Sequence, residues 1–196
     1  MTLLVDVLEE HGLDSIDVVL FALPGVGDVG KNAVELLNEA NEARTVARFI
    51  HPGLTPLARL DEDGLLAPPH LAAYRIDTEN GPSILTITGR GQPSESFQQH
   101  DFTTELLKHL SEAGMRELIV LAGLMSTPEI KEAFAVATTS SHRVHLEEHG
   151  VDVRRDQPSG GAIGMSALMA SLAPLFGLKS VCAMATTVGA SGDVHA

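Results

Sequence analysis

Leu23-Pro24-Gly25-Val26-Gly27-Asp28-Val29-Gly30 stands between an apolar run, Val18 to Leu23, and a stretch in which Ala33, Leu36, Leu37 and Ala40 recur at helical spacing. A strand that becomes a helix within so few residues brings backbone N–H groups close to something, which glycine permits because it has no Cβ. That something is a phosphate or the neighbouring strand. Gly25-x-Gly27-x-x-Gly30 matches the fingerprint in which glycines make the tight turn and a helix N-terminus holds a pyrophosphate. The context of the fingerprint is missing. The next strand candidate, Thr45 to Ile50, ends in His51-Pro52-Gly53 with no acid for a ribose diol, and Glu42 precedes that strand. Asp28 also carries the same sign of charge as a phosphate. Nicotinamide and flavin binding are therefore disfavoured and no cofactor is expected. Whether the loop serves a ligand or only packing stays open.

The rest of the chain sets the frame. Its 196 residues, 44% of them apolar, suffice for one sizeable core, read here as a single domain over residues 1–196. A formal net charge of -13 disfavours nucleic acid and anionic membranes, and the four lysines and nine arginines form no dense basic run. The one cysteine, Cys182, lies in the apolar run Val181-Cys182-Ala183-Met184, which excludes an internal disulfide framework and reads as a buried thiol in a reducing cytoplasm. Met1 to Glu10 mixes Leu3, Leu4 and Val7 with Asp6, Glu9 and Glu10 and lacks the basic start and apolar core of a secretion signal. No segment approaches the length of a membrane span.

The order of elements indicates an α/β fold with a mixed, mostly covered sheet. Val18 to Leu23 and Thr45 to Ile50 flank the first helix, a unit that normally closes right-handed with parallel strands. Pro56 to Leu60 and Leu65 to Ala67 surround Asp61-Glu62-Asp63-Gly64, which reads as a hairpin projecting near residues 56–68. Leu71 to Ile76 and Ile84 to Thr88, joined through Asn80-Gly81-Pro82, read as antiparallel neighbours. From Ser94 to Ala113 the pattern is helical, with Ser94 or Ser96 placed to cap it, Phe102, Leu106, Leu107 and Leu110 on one stripe, and Gly114 as terminator. Leu118 to Leu121 and Phe134 to Ala137 read as strands and Ser140 to His149 as an exposed helix stopped by Gly150. Ile163 to Phe176 reads as an apolar helix leading to a strand at Val181 to Met184.

Three glycine turns now fall in order: the Gly25 to Gly30 loop, Gly123 after Leu118 to Leu121, and Ser159-Gly160-Gly161-Ala162-Ile163-Gly164. With this spacing the chain resembles the PAC2 family from about Val18 to Gly189. The resemblance implies a three-layer α/β fold like that of purine nucleoside phosphorylases, with a mixed, mostly parallel sheet covered by helices. It also implies self-association and, in the family's chaperone branch, binding of proteasome subunits rather than catalysis. The chain departs from that branch by lacking the C-terminal helical extension. Proteasome-docking tails commonly end in a hydrophobic residue, a tyrosine and any residue. Val194-His195-Ala196 has the hydrophobic position and places histidine where the phenol would anchor the tail.

The rival reading is enzymatic. Phosphorylase-like proteins hold phosphate with a glycine loop after the first strand, joined by arginines and a serine. Here Gly25, Gly27 and Gly30 would be the loop, Arg48 and Arg90 the guanidinium clamps, and Ser94 or Ser96 a hydroxyl at a helix N-terminus. Against it, Glu129, Glu132, Glu147 and Glu148 fall in helical, solvent-facing patterns, so no acidic nucleoside-binding segment is recognisable between Gly123 and Ile163. His142, His145 and His149 share one helix face, yet no cysteine or acid is positioned to complete a zinc shell, and no metal is expected. No Gly-x-Ser-x-Gly elbow appears, and an apolar setting raises the pKa of Cys182. Ser159 is read as a turn residue whose neighbouring glycines let the Ile163 helix pack closely on the sheet. That helix, with Met165, Leu168, Met169, Leu172 and Phe176, is core on one side and available to a second subunit on the other, so a homo-oligomer is expected. The favoured reading is a cytoplasmic, non-catalytic protein-binding protein.

Overall fold

Ten strands and four helices are present in a computed structural model that describes residues 2–61, 63–79 and 81–189. The strands are β1 (Leu4–Val7), β2 (Ile16–Phe21), β3 (Arg44–Ile50), β4 (Arg59–Leu60), β5 (Leu66–Ala67), β6 (Leu71–Ile76), β7 (Ser83–Gly89), β8 (Glu117–Met125), β9 (Ala133–Ala137) and β10 (Lys179–Thr187). The helices are α1 (Val29–Ala40), α2 (Ser96–Glu112), α3 (Ser140–Glu148) and α4 (Met165–Leu172).

All strands except the β4–β5 hairpin form one eight-stranded sheet in the order β1-β3-β6-β7-β2-β8-β10-β9. Its centre, β7-β2-β8-β10, is parallel. β3 points the same way, whereas β1, β6 and β9 run against it. The unit β2-α1-β3 therefore has parallel strands, as expected, but they are not neighbours: β6 and β7 lie between them. The Leu71 to Thr88 hairpin inserts there because its Asp77-to-Pro82 turn folds β6 straight back onto β7. Edge strand β1 gave no sequence signal of its own, since Leu4, Val5, Asp6 and Val7 are only partly covered and pair on one side.

The sheet is the middle of three layers. On one face Asn38 of α1 is buried, and its Oδ1 accepts a 2.7 Å hydrogen bond from the Thr86 hydroxyl of β7. On the other, α2 buries the anticipated stripe of Phe102, Leu106, Leu107 and Leu110 completely. Each such side chain contributes roughly 1.5–3 kcal/mol relative to exposure. α4 lies beside α2, and two hydroxyls tie this layer down: Ser111 donates to the Phe176 carbonyl and Ser180 to that of Ala170, each at 2.7 Å.

A polar cluster closes the outer half of the sheet. Arg75 donates to Asp77 at 2.7 Å, to the Asp14 carbonyl at 2.8 Å and to the Ser83 hydroxyl at 3.0 Å, while Arg44 also reaches Asp77. The hydrogen bond from Arg75, then that from Ser83, holds the Asp77 carboxyl down at about 2. A carboxyl lowered by folding stabilises the fold fully above its unfolded value near 4, and that contribution fades as pH falls toward 2.

Several helix boundaries differ from expectation. Glu95, with extended backbone and no side-chain cap, precedes α2, so neither Ser94 nor Ser96 caps it and both are exposed. α4 is shorter than the Ile163-to-Phe176 pattern: Gly164 at φ 90° stops it at one end, and Pro174 turns the other into a 3-10 segment, Ala173–Phe176. Ile163 is left 96% exposed. Glu129 and Glu132 lie in the irregular link between β8 and β9 rather than in a helix. β8 and β10 extend beyond Leu118 to Leu121 and Val181 to Met184 because they pair along nine residues each. The β4–β5 hairpin is shorter than its pattern, pairing Arg59 with Ala67 and Leu60 with Leu66, and the Asp61 carboxylate accepts from the amides of Asp63 and Leu65.

Replacing Asn38 with alanine removes the acceptor from a buried hydroxyl. An Asn38→Ala variant is expected to lose about 1–3 kcal/mol in denaturant unfolding, the cost of leaving such a group unpaired. A loss within experimental scatter would show that Thr86 has another acceptor.

Candidate functional site

The glycine turn leads from β2 into α1 over the carboxyl end of the sheet, where ligands collect in open α/β folds. Here that space is taken up by main chain. A Cβ on Gly30 would stand 2.2 Å from the Leu121 carbonyl oxygen of β8, and one on Gly123 would stand 2.1 Å from the Val26 carbonyl oxygen. The start of α1 and β8 thus touch backbone to backbone. Gly27 lies against the Thr187 side chain at the end of β10. Only Gly25 has room around it.

The loop also carries its own anion. Asp28, in the left-handed region at φ 55°, accepts a hydrogen bond from the Gly25 amide through Oδ1 at 3.2 Å and returns its own amide to the Gly25 carbonyl at 3.1 Å. A phosphate seated on Gly25 would have to displace that carboxylate.

The remaining candidates for a phosphate clamp are spread out. Arg48 is on β3, and with β6 and β7 intervening its strand lies about 14 Å from β2 at ~4.8 Å per strand. It stands between Asp6 of β1 and Asp61 of the hairpin, at 3.8 and 3.6 Å. Arg90 and Ser94 are exposed in the loop from β7 to α2. That loop makes an internal join: Gln92 Oε1 accepts from the Met165 amide at 2.7 Å, capping α4 from outside, and Gln99 donates to the Pro93 carbonyl at 2.7 Å. The structure brings Gly25, Gly27 and Gly30 together and places Arg90 and Ser94 on one loop, with Arg48 apart. Val194, His195 and Ala196 lie outside the described residues.

Other polar candidates are also engaged. His142 donates its Nδ1–H to the Ser180 carbonyl at 3.0 Å, and His149 donates its Nδ1–H to the His145 carbonyl at 2.8 Å, because a carbonyl oxygen can only accept. Among the described residues no three potential metal ligands converge. Burial pushes the Cys182 thiol up to about 11, which removes it as a nucleophile at neutral pH. Gly160 and Gly161 have open space around them and lie in an exposed loop, so they do not seat α4 on the sheet; Gly164 is stacked against Gln92 instead.

Sequence reading missed His51. Its side chain is fully buried after β3, with the ring stacked on Phe102 at 4.7 Å. Nδ1 accepts from the Gly53 amide at 3.0 Å, which fixes the proton on Nε2, facing Asp101 at 3.1 Å. Nε2 thereby fastens the end of β3 to α2, while Nδ1 secures the turn that follows the strand. His51-Pro52-Gly53 at a strand end, followed fifty residues on by an acid in a helix, carried no local signal for this pair.

The PAC2 family model matches residues 19–196. Among solved structures the chain is similar to PbaB, an archaeal proteasome activator of Pyrococcus furiosus, at 22% identity and TM-score 0.83, covering 99% of this chain and 84% of that one. It is also similar to Pyrococcus furiosus PbaA, an archaeal homologue of proteasome-assembly chaperone, at 21% identity and TM-score 0.75, covering 95% and 77%. A Mycobacterium tuberculosis proteasome-assembly chaperone homologue matches at 18% identity and TM-score 0.67, covering 91% and 78%. At these identities the likeness establishes the fold. No curated protein matches the chain.

Two measurements test the packing role of the turn and the inertness of the thiol. Gly30→Ala is expected to cost about 1–3 kcal/mol or more in denaturant unfolding, as overpacking does, while Gly25→Ala stays within about 0.5 kcal/mol. Equal, small losses would contradict the backbone contact. Cys182 is expected to resist a thiol reagent in the native protein at mildly alkaline pH and to react fully once unfolded. Rapid native labelling would overturn that expectation.

Proposed function

The chain belongs to the PAC2 family, and from that premise we propose that it works by binding protein, as a proteasome-assembly chaperone-like homo-oligomer of the cytoplasm, with proteasome subunits as its partner class. The observation that carries this reading is the backbone contact between the start of α1 and β8. It gives the glycine signature a purpose in packing and leaves no need for a ligand there. Asp28 on the Gly25 amide and the separation of Arg48 from the loop support the same reading. So does the fold likeness to PbaB and PbaA, whose names place them with the proteasome.

No helix among the described residues is long and apolar enough to cross a membrane. Val194, His195 and Ala196 are the proposed docking residues. Val194 supplies the hydrophobic contact, and His195 offers a smaller ring without the phenolic hydroxyl. One lost hydrogen bond of that kind is worth about 1 kcal/mol, or roughly fivefold in affinity.

Surface-immobilised proteasome subunits of the source organism provide the test. Saturable binding by the full chain is expected, strengthened roughly fivefold by His195→Tyr and weakened by deletion of Val194 to Ala196. Absence of binding, together with a thermal shift from millimolar phosphate, nucleoside or ATP that Arg90→Ala abolishes, would replace this reading with the phosphorylase-like alternative built on Gly25, Gly27, Gly30, Arg48, Arg90 and Ser94.

A further inference from the structure

One face of the sheet is covered unevenly. α1 crosses β7 and β8 and leaves the strands beyond it open. There a groove of about 340 Å³ runs between α1 and the 151–152 segment, which extends the sheet past β9 through hydrogen bonds to Ala135. Its floor is apolar, with Leu121, Ala183 and Ala135 side by side in register on β8, β10 and β9. Ala33 and Val151 form opposite walls.

Directly beside the groove stands a ridge of matching character. Val29, Ala33, Leu36 and Ala40 recur at helical spacing along α1, and Leu36 is 65% exposed at the crest. The charges are arranged to match. Past Leu36 the helix carries the exposed Glu39, and across the groove Lys131, two residues before Ala133 of its lining, is exposed as well. Neither makes an ion pair among the described residues, whereas Glu35 is held by Lys31 at 2.6 Å, Arg155 by Glu147 at 2.8 Å and the groove residue Asp152 by Arg154 at 2.9 Å.

We propose that this groove seats α1 of a second copy of the chain across a two-fold axis. A patch that holds a ridge and its groove side by side is self-complementary: under a two-fold, Leu36 of each copy enters the other's groove. The same operation sets Glu39 of each copy against Lys131 of the other, twice. A chain with net charge -13 repels its own copies at long range, so a local match of opposite charges is what makes one approach favourable. The proposal rests on the self-association stated above and specifies its face, which is α1 with β8, β10 and β9 rather than the α4 side.

The test measures mass by light scattering across micromolar concentrations, with circular dichroism to verify folding of each variant. The full chain is expected to self-associate. Leu36→Asp, at an exposed position, is expected to weaken association at least about tenfold, as loss of a central apolar anchor does, while the folded spectrum is retained. Glu39→Lys is expected to weaken it too, and Glu39→Lys combined with Lys131→Glu to restore it. An oligomer indifferent to Leu36→Asp overturns the assigned face and leaves self-association standing. A monomer throughout overturns both.

Discussion

The molecule depends on one close approach, in which the first turn of α1 lies on β8 with carbonyls where side chains would otherwise stand. Gly30 against Leu121 and Gly123 against Val26 are reciprocal, each strand or helix lending a bare position to the other's carbonyl. Interiors pack at the density of organic crystals, so any added methyl would have to push the whole helix outward. With α1 fixed in this way, Asn38, two turns further on, meets Thr86 at hydrogen-bond distance, and Val34 is sealed between them. The same seating makes α1 hug β8 and β7, leaving the β10–β9 side of that face uncovered.

The opposite layer is held by different means. α2 is long and buries a full apolar stripe, whereas α4 is short, starts after a glycine and has no cap of its own. Side chains from elsewhere complete it: Gln92 at its first amide and Ser180 at the Ala170 carbonyl. His51 joins β3 to α2 in the same manner. Polar groups that resemble catalytic parts in sequence are thus fasteners between layers in space, each satisfied by backbone or by one acid. Net hydrogen bonds of this sort are worth about 1 kcal/mol each, but leaving one buried and unmade costs more, which is why they come in completed sets.

Elements whose pattern repeats over several turns were legible in the sequence. The stripe Phe102, Leu106, Leu107, Leu110 and the hairpin around Asp61 follow from periodicity and turn chemistry alone. What was not legible depended on partners distant in sequence. Nothing local tells that β6 and β7 enter between β2 and β3, because neighbouring positions in a sheet are decided by hairpin closure and layer packing rather than by chain order. Nor does Gly160-Gly161 differ in kind from Gly30 and Gly123, although the first pair faces open space and the second pair leaves no room for a Cβ. The boundary of α4 was misplaced for a local reason, since Ile163 fits the apolar period but Gly164 adopts a left-handed φ that a helix cannot continue through. Of the candidate site, the turn was found and its partner was not: Leu121 was visible only as a strand residue.

The distribution of charge bears on what such a scaffold is suited to do. Most arginines are paired with carboxylates already: Arg44 and Arg75 with Asp77, Arg48 with Asp6 and Asp61, Arg154 with Asp152 and Glu132, and Arg155 with Glu147. Cations that complete internal networks are poor phosphate clamps, because binding an anion would first require breaking those pairs. The unbalanced acids therefore remain on the outside, and they favour encounter with basic protein surfaces over anionic metabolites. A chain built in this way keeps its main-chain contacts and ion pairs for holding its layers together and presents apolar relief edged by charge to the solvent, which is the form of surface by which proteins recognise one another.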